Sequence, residues 1–130
     1  MRTILVIDDH VATLRTICLV LKQQGYEPLA AENANQAQEY FFDNNVDLVI
    51  VDHGLPRVTG AELAKRLKEI KSVFVLRLSG NSDLLEKPDS VDVLLPRPVA
   101  VPILLAEIAG LLARRKPEVI PSASDKKAFL

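Results

Sequence analysis

The chain has 130 residues and a mass of 14.3 kDa, room for one domain with a sizeable single core. Hydrophobic residues make up 48% and charged residues 25%, which excludes a disordered or fibrous chain. Sixteen basic and seventeen acidic residues leave a net charge of −1, so no basic excess drives direct nucleic-acid binding. A lone cysteine, Cys18, has no partner for an internal disulfide, and nothing points to secretion. The opening MRTILVIDDH meets acid after four apolar residues, too soon for a signal peptide. The longest apolar stretch, Val99 to Ala113, holds Pro102 and Glu107 and falls short of the roughly 20 residues a bilayer needs. These features predict a cytoplasmic protein without membrane insertion.

In chain order, Ile4-Leu5-Val6-Ile7 reads as a strand buried on both faces. Val11, Leu14, Ile17, Cys18 and Leu21 recur at helical spacing, and Gly25 suits the stop of that helix. Tyr26 to Ala31 reads as a second strand. Ala34, Ala37, Gln38, Tyr40 and Phe41 fit a second helix, with Asn33 as its N-cap. Val46 to Val51 is the third strand, followed by a loop from His53 to Thr59. Thr59 and Glu62 have the spacing of a capping box, opening a helix whose buried stripe is Ala61, Leu63, Ala64, Leu67 and Ile70. Val73 to Leu78 and Val91 to Leu95 are the fourth and fifth strands. Pro102 fits the first turn of a last helix, where its missing N–H has no intrahelical use. The domain is expected over residues 1–116, with 117–130 a disordered or frayed tail. Strands alternating with helices predict βαβ units and a parallel sheet covered on both faces.

In such folds chemistry gathers at the carboxyl ends of the strands. Asp8 and Asp9 end the first strand and Asp52 ends the third. If these strands are neighbours, three carboxylates converge and repel unless a cation neutralises them. Carboxylates and carbonyls without a Cys/His cluster form a hard oxygen set, suited to Mg2+. Ser79 ends the fourth strand and offers a hydroxyl. The N–H of Gly80 allows close approach. Arg97, between Pro96 and Pro98, ends the fifth strand with a cation. Together these groups describe a site for a phosphoryl group on a carboxylate oxygen, an acyl phosphate.

The stretches ILVIDDH, VDHGLPRVTG, LSG and LLPRP carry a specific combination, and the chain resembles a response-regulator receiver domain of two-component signalling over about residues 2 to 115. The resemblance implies a flavodoxin-like, doubly wound five-stranded parallel sheet in the order 2-1-3-4-5. It implies that Asp52 is the phosphoacceptor, that Asp9 binds Mg2+ directly with Asp8 as its partner, and that the Gly54 carbonyl is a further metal ligand beside Asp52. Ser79 corresponds to the hydroxyl that turns toward the phosphoryl group, and Gly80 to the residue whose N–H approaches it. The implied partners are a sensor histidine kinase or phosphotransfer protein as donor and a downstream protein for output. With no output domain expected in 130 residues, the chain resembles a single-domain regulator.

Three features depart from the family pattern. Arg97 stands where lysine is usual, and two roles stay open for it: static pairing with Asp52 or Asp9, or holding the phosphoryl group. The segment NSDLLEKPDSVD is short and contains Pro88, so the fourth helix is expected to be short or absent. Leu94 occupies the place of the family's aromatic switch residue. In the last helix, Val101, Leu104, Leu105, Ile108, Leu111 and Leu112 form the expected core face. Ala106, Ala109, Gly110 and Ala113 form a small-residue face suited to a homodimer or partner. His10 and His53 are expected as surface residues flanking the acidic cluster.

The alternative to a phosphorylated switch is a receiver-like interaction module that acts without phosphate, favoured by Arg97 and the shortened fourth helix. An aspartyl-phosphate phosphatase fits less well: Gly54 stands where a second aspartate belongs, and the length leaves no cap domain. The expectation is therefore a switch and not an enzyme.

Overall fold

The computed structural model describes residues 1–52, 55, 57–79 and 88–114, with the side chain of Asp52 excepted. Five strands, β1 (Thr3–Ile7), β2 (Glu27–Ala31), β3 (Leu48–Asp52), β4 (Phe74–Ser79) and β5 (Val93–Pro96), form one sheet. Its order is β2-β1-β3-β4-β5 and every neighbouring pair is parallel, the flavodoxin-like order that the resemblance implies. Four helices are present among the described residues: α1 (Val11–Gln23), α2 (Ala34–Asp43), α3 (Gly60–Ile70) and α4 (Val101–Ala113). The expected short or absent helix after Ser79 falls mainly on residues 80–87, outside the described residues, as does the expected tail.

The apolar runs of the central strands explain the layers. Side chains alternate across a strand, so a run apolar at every position must be covered on both faces. Leu5, Ile7, Val49, Val51 and Val75 face a core completed by Ala37 and Phe41 of α2 and Leu63, Ala64 and Leu67 of α3. Ile4, Val6, Leu48, Ile50 and Leu76 face the opposite core, closed by Leu14, Ile17 and Leu21 of α1 and Leu104, Ile108 and Leu111 of α4. Each fully buried Leu or Ile contributes about 1.5–3 kcal/mol.

All strands run the same way, so their carboxyl ends share one rim with the N-termini of the helices. Side chains cap three of these helices. His10 Nδ1 accepts from the Thr13 N–H at the start of α1, and Asn33 Oδ1 accepts from the Gln36 N–H at the start of α2. Thr59 and Glu62 complete the expected capping box on α3. Gly25, at φ 87°, ends α1 in a left-handed conformation that favours glycine. Asp92 fixes the approach to β5: its carboxylate accepts from Lys68 Nζ of α3 at 2.7 Å and from the Val75 N–H at 2.8 Å.

Helix α4 departs from expectation at its first turn. Val101 is 46% exposed and not part of the core, and Ile103 is exposed beside it. Spacing on a helix gives a direction, while coverage depends on where the sheet stops. The turn that opens with Val101 and Pro102 stands at the rim beyond the apolar strand bodies. Ala106, Ala109, Gly110 and Ala113 face solvent, as the helical spacing predicts.

Candidate phosphoacceptor site at the strand ends

Backbone register brings the candidate residues together. Ile7 pairs with Val51, so Asp8 and Asp52 each follow one member of that pair on adjacent strands. Neighbouring strands lie about 4.8 Å apart. Asp52 pairs with Leu78, which precedes Ser79, and Ser79 pairs with Pro96, which precedes Arg97. Residues far apart in sequence thus line up across β1, β3, β4 and β5. The side chain of Asp52, and Gly54, Gly80 and His53 entire, lie outside the described residues.

Asp8 is the fixed point of the described site. It is completely buried at the end of β1, and its backbone N–H donates to the Ala31 carbonyl of β2. One carboxylate oxygen, Oδ1, accepts the His10 N–H at 2.8 Å. The other, Oδ2, accepts from Arg97 Nη2 at 3.3 Å. Removing a carboxylate from water costs several kcal/mol unless a cation and hydrogen bonds compensate, and here both are present. Asp9, the next residue, is exposed.

Arg97 therefore contacts Asp8, a partner that neither expected role named. Its backbone N–H donates to the Ser79 carbonyl at 2.9 Å, which sets the residue beside the end of β4. Its side chain is 34% exposed. The peptide bond to Pro98 is cis. Ser79 is fully buried, and Leu94 packs half-buried against the α2–α3 core.

Beside Arg97 lies an apolar cavity of about 420 Å3 between α1 and the segment leading into α4, bordered by Thr13, Thr16, Leu78, Pro98 and Val99. Sequence reasoning missed it because its walls come from three separate elements. His10 is exposed, as expected, and serves as the N-cap of α1, with its Nδ1 2.7 Å from Thr13 Oγ1. Cys18 is half-buried against the α1–α4 core, and burial raises its thiol pKa above the ordinary value.

The donors fit a hard divalent ion in kind. Asp8 and Asp9 supply carboxylate oxygens at one edge, and the buried oxygen of Asp8 already holds a cationic partner. Among the described residues, no group of three or more His, Cys, Asp and Glu is arranged to hold a metal; the third expected carboxylate, Asp52, falls outside that set. No helix among the described residues is long and apolar enough to cross a membrane.

Comparison with known proteins agrees with this geometry. The response regulator receiver domain family matches residues 4–94. The phosphate regulon transcriptional regulatory protein PhoB of Pseudomonas aeruginosa is 32% identical over 125 residues, covering 89% of this chain and 54% of PhoB; the chain spans about half the length of that relative. A response regulator receiver domain protein from Clostridium thermocellum superposes with a TM-score of 0.80 at 28% identity, covering 86% of this chain and 94% of that one. The response regulator protein TrrA of Thermotoga maritima, solved in complex with Mg2+–BeF, superposes with a TM-score of 0.76 at 29% identity, covering 85% of this chain and 99% of that one. With the strand order, the rim and these relatives in agreement, the chain belongs to the response regulator receiver domain family.

Proposed function

We infer that the chain is a phosphorylation-dependent switch in which Asp52 accepts a phosphoryl group from a phosphohistidine on a sensor kinase or phosphotransfer protein. A carboxylate oxygen of Asp52 attacks phosphorus. The P–N bond to the donor imidazole breaks, the imidazole leaves, and a P–O bond forms to give an acyl phosphate. The Arg97 guanidinium, the Ser79 hydroxyl and the Gly80 N–H stabilise the phosphoryl oxygens, a task of positioning and electrostatics. Asp8, Asp9, Asp52 and the Gly54 carbonyl would hold Mg2+, which neutralises charge on the transferring group. Phosphorylation adds roughly −1.5 to −2 charges, enough to bias a two-state surface and change binding to a downstream protein. The role is that of a switch and not of an enzyme turning over a substrate.

The observation that carries this reading is the fully buried carboxylate of Asp8, paired with a cation, on the strand next to the one that Asp52 ends. Family membership and the Mg2+–BeF complex of TrrA support it. Acetyl phosphate with Mg2+, followed by intact mass measurement, tests it. The expected result is a phosphoryl adduct that hydroxylamine releases and that Asp52→Asn abolishes. No adduct on the folded protein would leave the module that acts without phosphate, and an adduct that persists in Asp52→Asn would refute Asp52 as the acceptor.

A further inference from the structure

We propose that a recess between α2 and α3 binds a phosphorylated small molecule of nucleoside-diphosphate size through Arg57 and Arg66. The recess has a volume of about 750 Å3. Its walls come from the start of α2, from Arg57 and Val58 ahead of α3, and from Arg66 of α3. The lining carries these two cations against one acid, Glu39. Among the described contacts neither guanidinium has a hydrogen bond or an ion pair. Glu62 precedes Arg66 by one helical turn, the spacing of an ion pair, but its Oε1 is taken by the N–H and the hydroxyl of Thr59. Two exposed positive charges are thus left lining one space.

The amides beside them are oriented as donors. Asn33 Oδ1 accepts the Gln36 N–H, and Gln36 Oε1 accepts the Glu32 N–H, both at 2.8 Å. With these carbonyl oxygens used inside the chain, Asn33 and Gln36 have their NH2 groups to offer a ligand. A lining dominated by donors and cations selects an anion rich in acceptors. Arg57 adds a backbone argument. Its φ of 72° lies in the left-handed region, where a Cβ is disfavoured and glycine is the usual occupant. The fold alone would favour glycine there. What the arginine adds is a planar fork matched to phosphate, and local strain of this kind collects at binding sites.

Size decides the class of anion. Exposed charge pairs are weak, so a single phosphate on a single arginine would be held loosely. Two linked phosphates engage both guanidiniums at once. A bare diphosphate would leave most of the recess empty, whereas pockets of roughly 300–1,000 Å3 take an organic body as well. Ala34 and Val58 offer that body apolar contact, and Asn35 offers it an amide. The rim residues Asp8, Ser79 and Arg97 are not part of this lining, so the site stands apart from the proposed phosphoacceptor.

The probe is ADP, added at constant ionic strength with EDTA present, and the readout is backbone amide NMR. The amides of Asn35, Gln36 and Val58 are expected to shift together with a midpoint of about 1 mM, while that of His10 at the rim stays still. Arg66→Gln and Arg57→Gly are each expected to weaken binding about fivefold, the order for one screened charge. Glu39→Gln is expected to tighten it about twofold. Arg57→Gly is also expected to keep or raise the melting temperature, because glycine relieves the backbone; a merely structural arginine would lower it. Arg15→Gln, an exposed charge on α1, is expected to change nothing.

No shift at about 10 mM ADP overturns the site. So do shifts centred on His10, or an unchanged affinity in Arg66→Gln. Inorganic phosphate or a glutamate-rich peptide binding as tightly as ADP overturns a ligand of nucleotide size. Arg66 is exposed on a helix, so its variant reads the site even if Arg57→Gly does not fold. None of these outcomes bears on phosphoryl transfer to Asp52, and the two sites stand or fall separately.

Discussion

The bodies of the strands and their carboxyl ends are built on opposite rules. Within β1, β3 and β4 the buried residues are almost all apolar, and both faces are closed by helices. One step further along the same strands, Asp8 and Ser79 are just as buried but polar. The body stabilises itself by excluding water. The end needs a cation, capped helix N-termini and a cross-strand contact to keep a carboxylate out of water. Folding therefore depends chiefly on the bodies, and the proposed function on ends that are held in place by them.

The largest expected effect lies in a strand body. Leu76 is fully buried in β4, and Leu76→Ala is expected to destabilise the fold by about 3 kcal/mol, through lost burial and the cavity left behind. Urea denaturation followed by circular dichroism measures it. Below the transition, Mg2+ affinity is expected to stay at the wild-type value, because the rim remains intact while the protein is folded. A body mutation that changed metal affinity in the native state would break the contrast.

The rim responds in the reverse sense. Arg97→Ala leaves the buried Asp8 without this cation and is expected to cost about 2 kcal/mol in the absence of Mg2+. That is less than for a fully buried pair, because the exposed part of the guanidinium is screened by water. Adding Mg2+ is expected to shrink the deficit, since on the proposed reading the ion would bind the folded variant and supply the missing charge. Denaturation with and without Mg2+ checks this. A deficit that ignores Mg2+ would mean that Arg97 serves only the fold.

These regions are unequally legible in the sequence. The strand bodies can be read because a continuous apolar run has one physical explanation, burial on both faces. The caps at Asn33 and at Thr59 with Glu62 can be read because the whole device lies within four residues. The contact of Arg97 with Asp8 cannot, because Asp8, Asp9 and Asp52 are all candidate partners until register and depth separate them. Burial chooses the partner: Asp8 lies beneath the rim while Asp9 is exposed. Val101 departs from its helical pattern for a related reason, since spacing does not reveal where the sheet below ends. Arg77 is a comparable surprise, a charged residue buried in the middle of β4 where its neighbours in sequence predict only apolar packing.

The smallest expected effect separates holding the rim together from loading it. Thr59 Oγ1 accepts the Glu62 N–H at 3.1 Å, and Glu62 Oε1 accepts the Thr59 N–H at 3.3 Å, closing the first turn of α3. Thr59→Ala leaves that helical N–H without its side-chain acceptor and is expected to cost about 1 kcal/mol, the usual worth of an N-cap. This device is local to α3 and touches neither Asp8 nor Arg97 in the described contacts. Its cost is therefore expected to be the same with and without Mg2+, unlike the deficit of Arg97→Ala. Equal costs under both conditions, read in the same denaturation experiment, would mark Thr59 as scaffold. A Thr59→Ala deficit that Mg2+ removed would instead place the start of α3 within the metal-responsive part of the rim, and the boundary between body and end would have to be redrawn to include it.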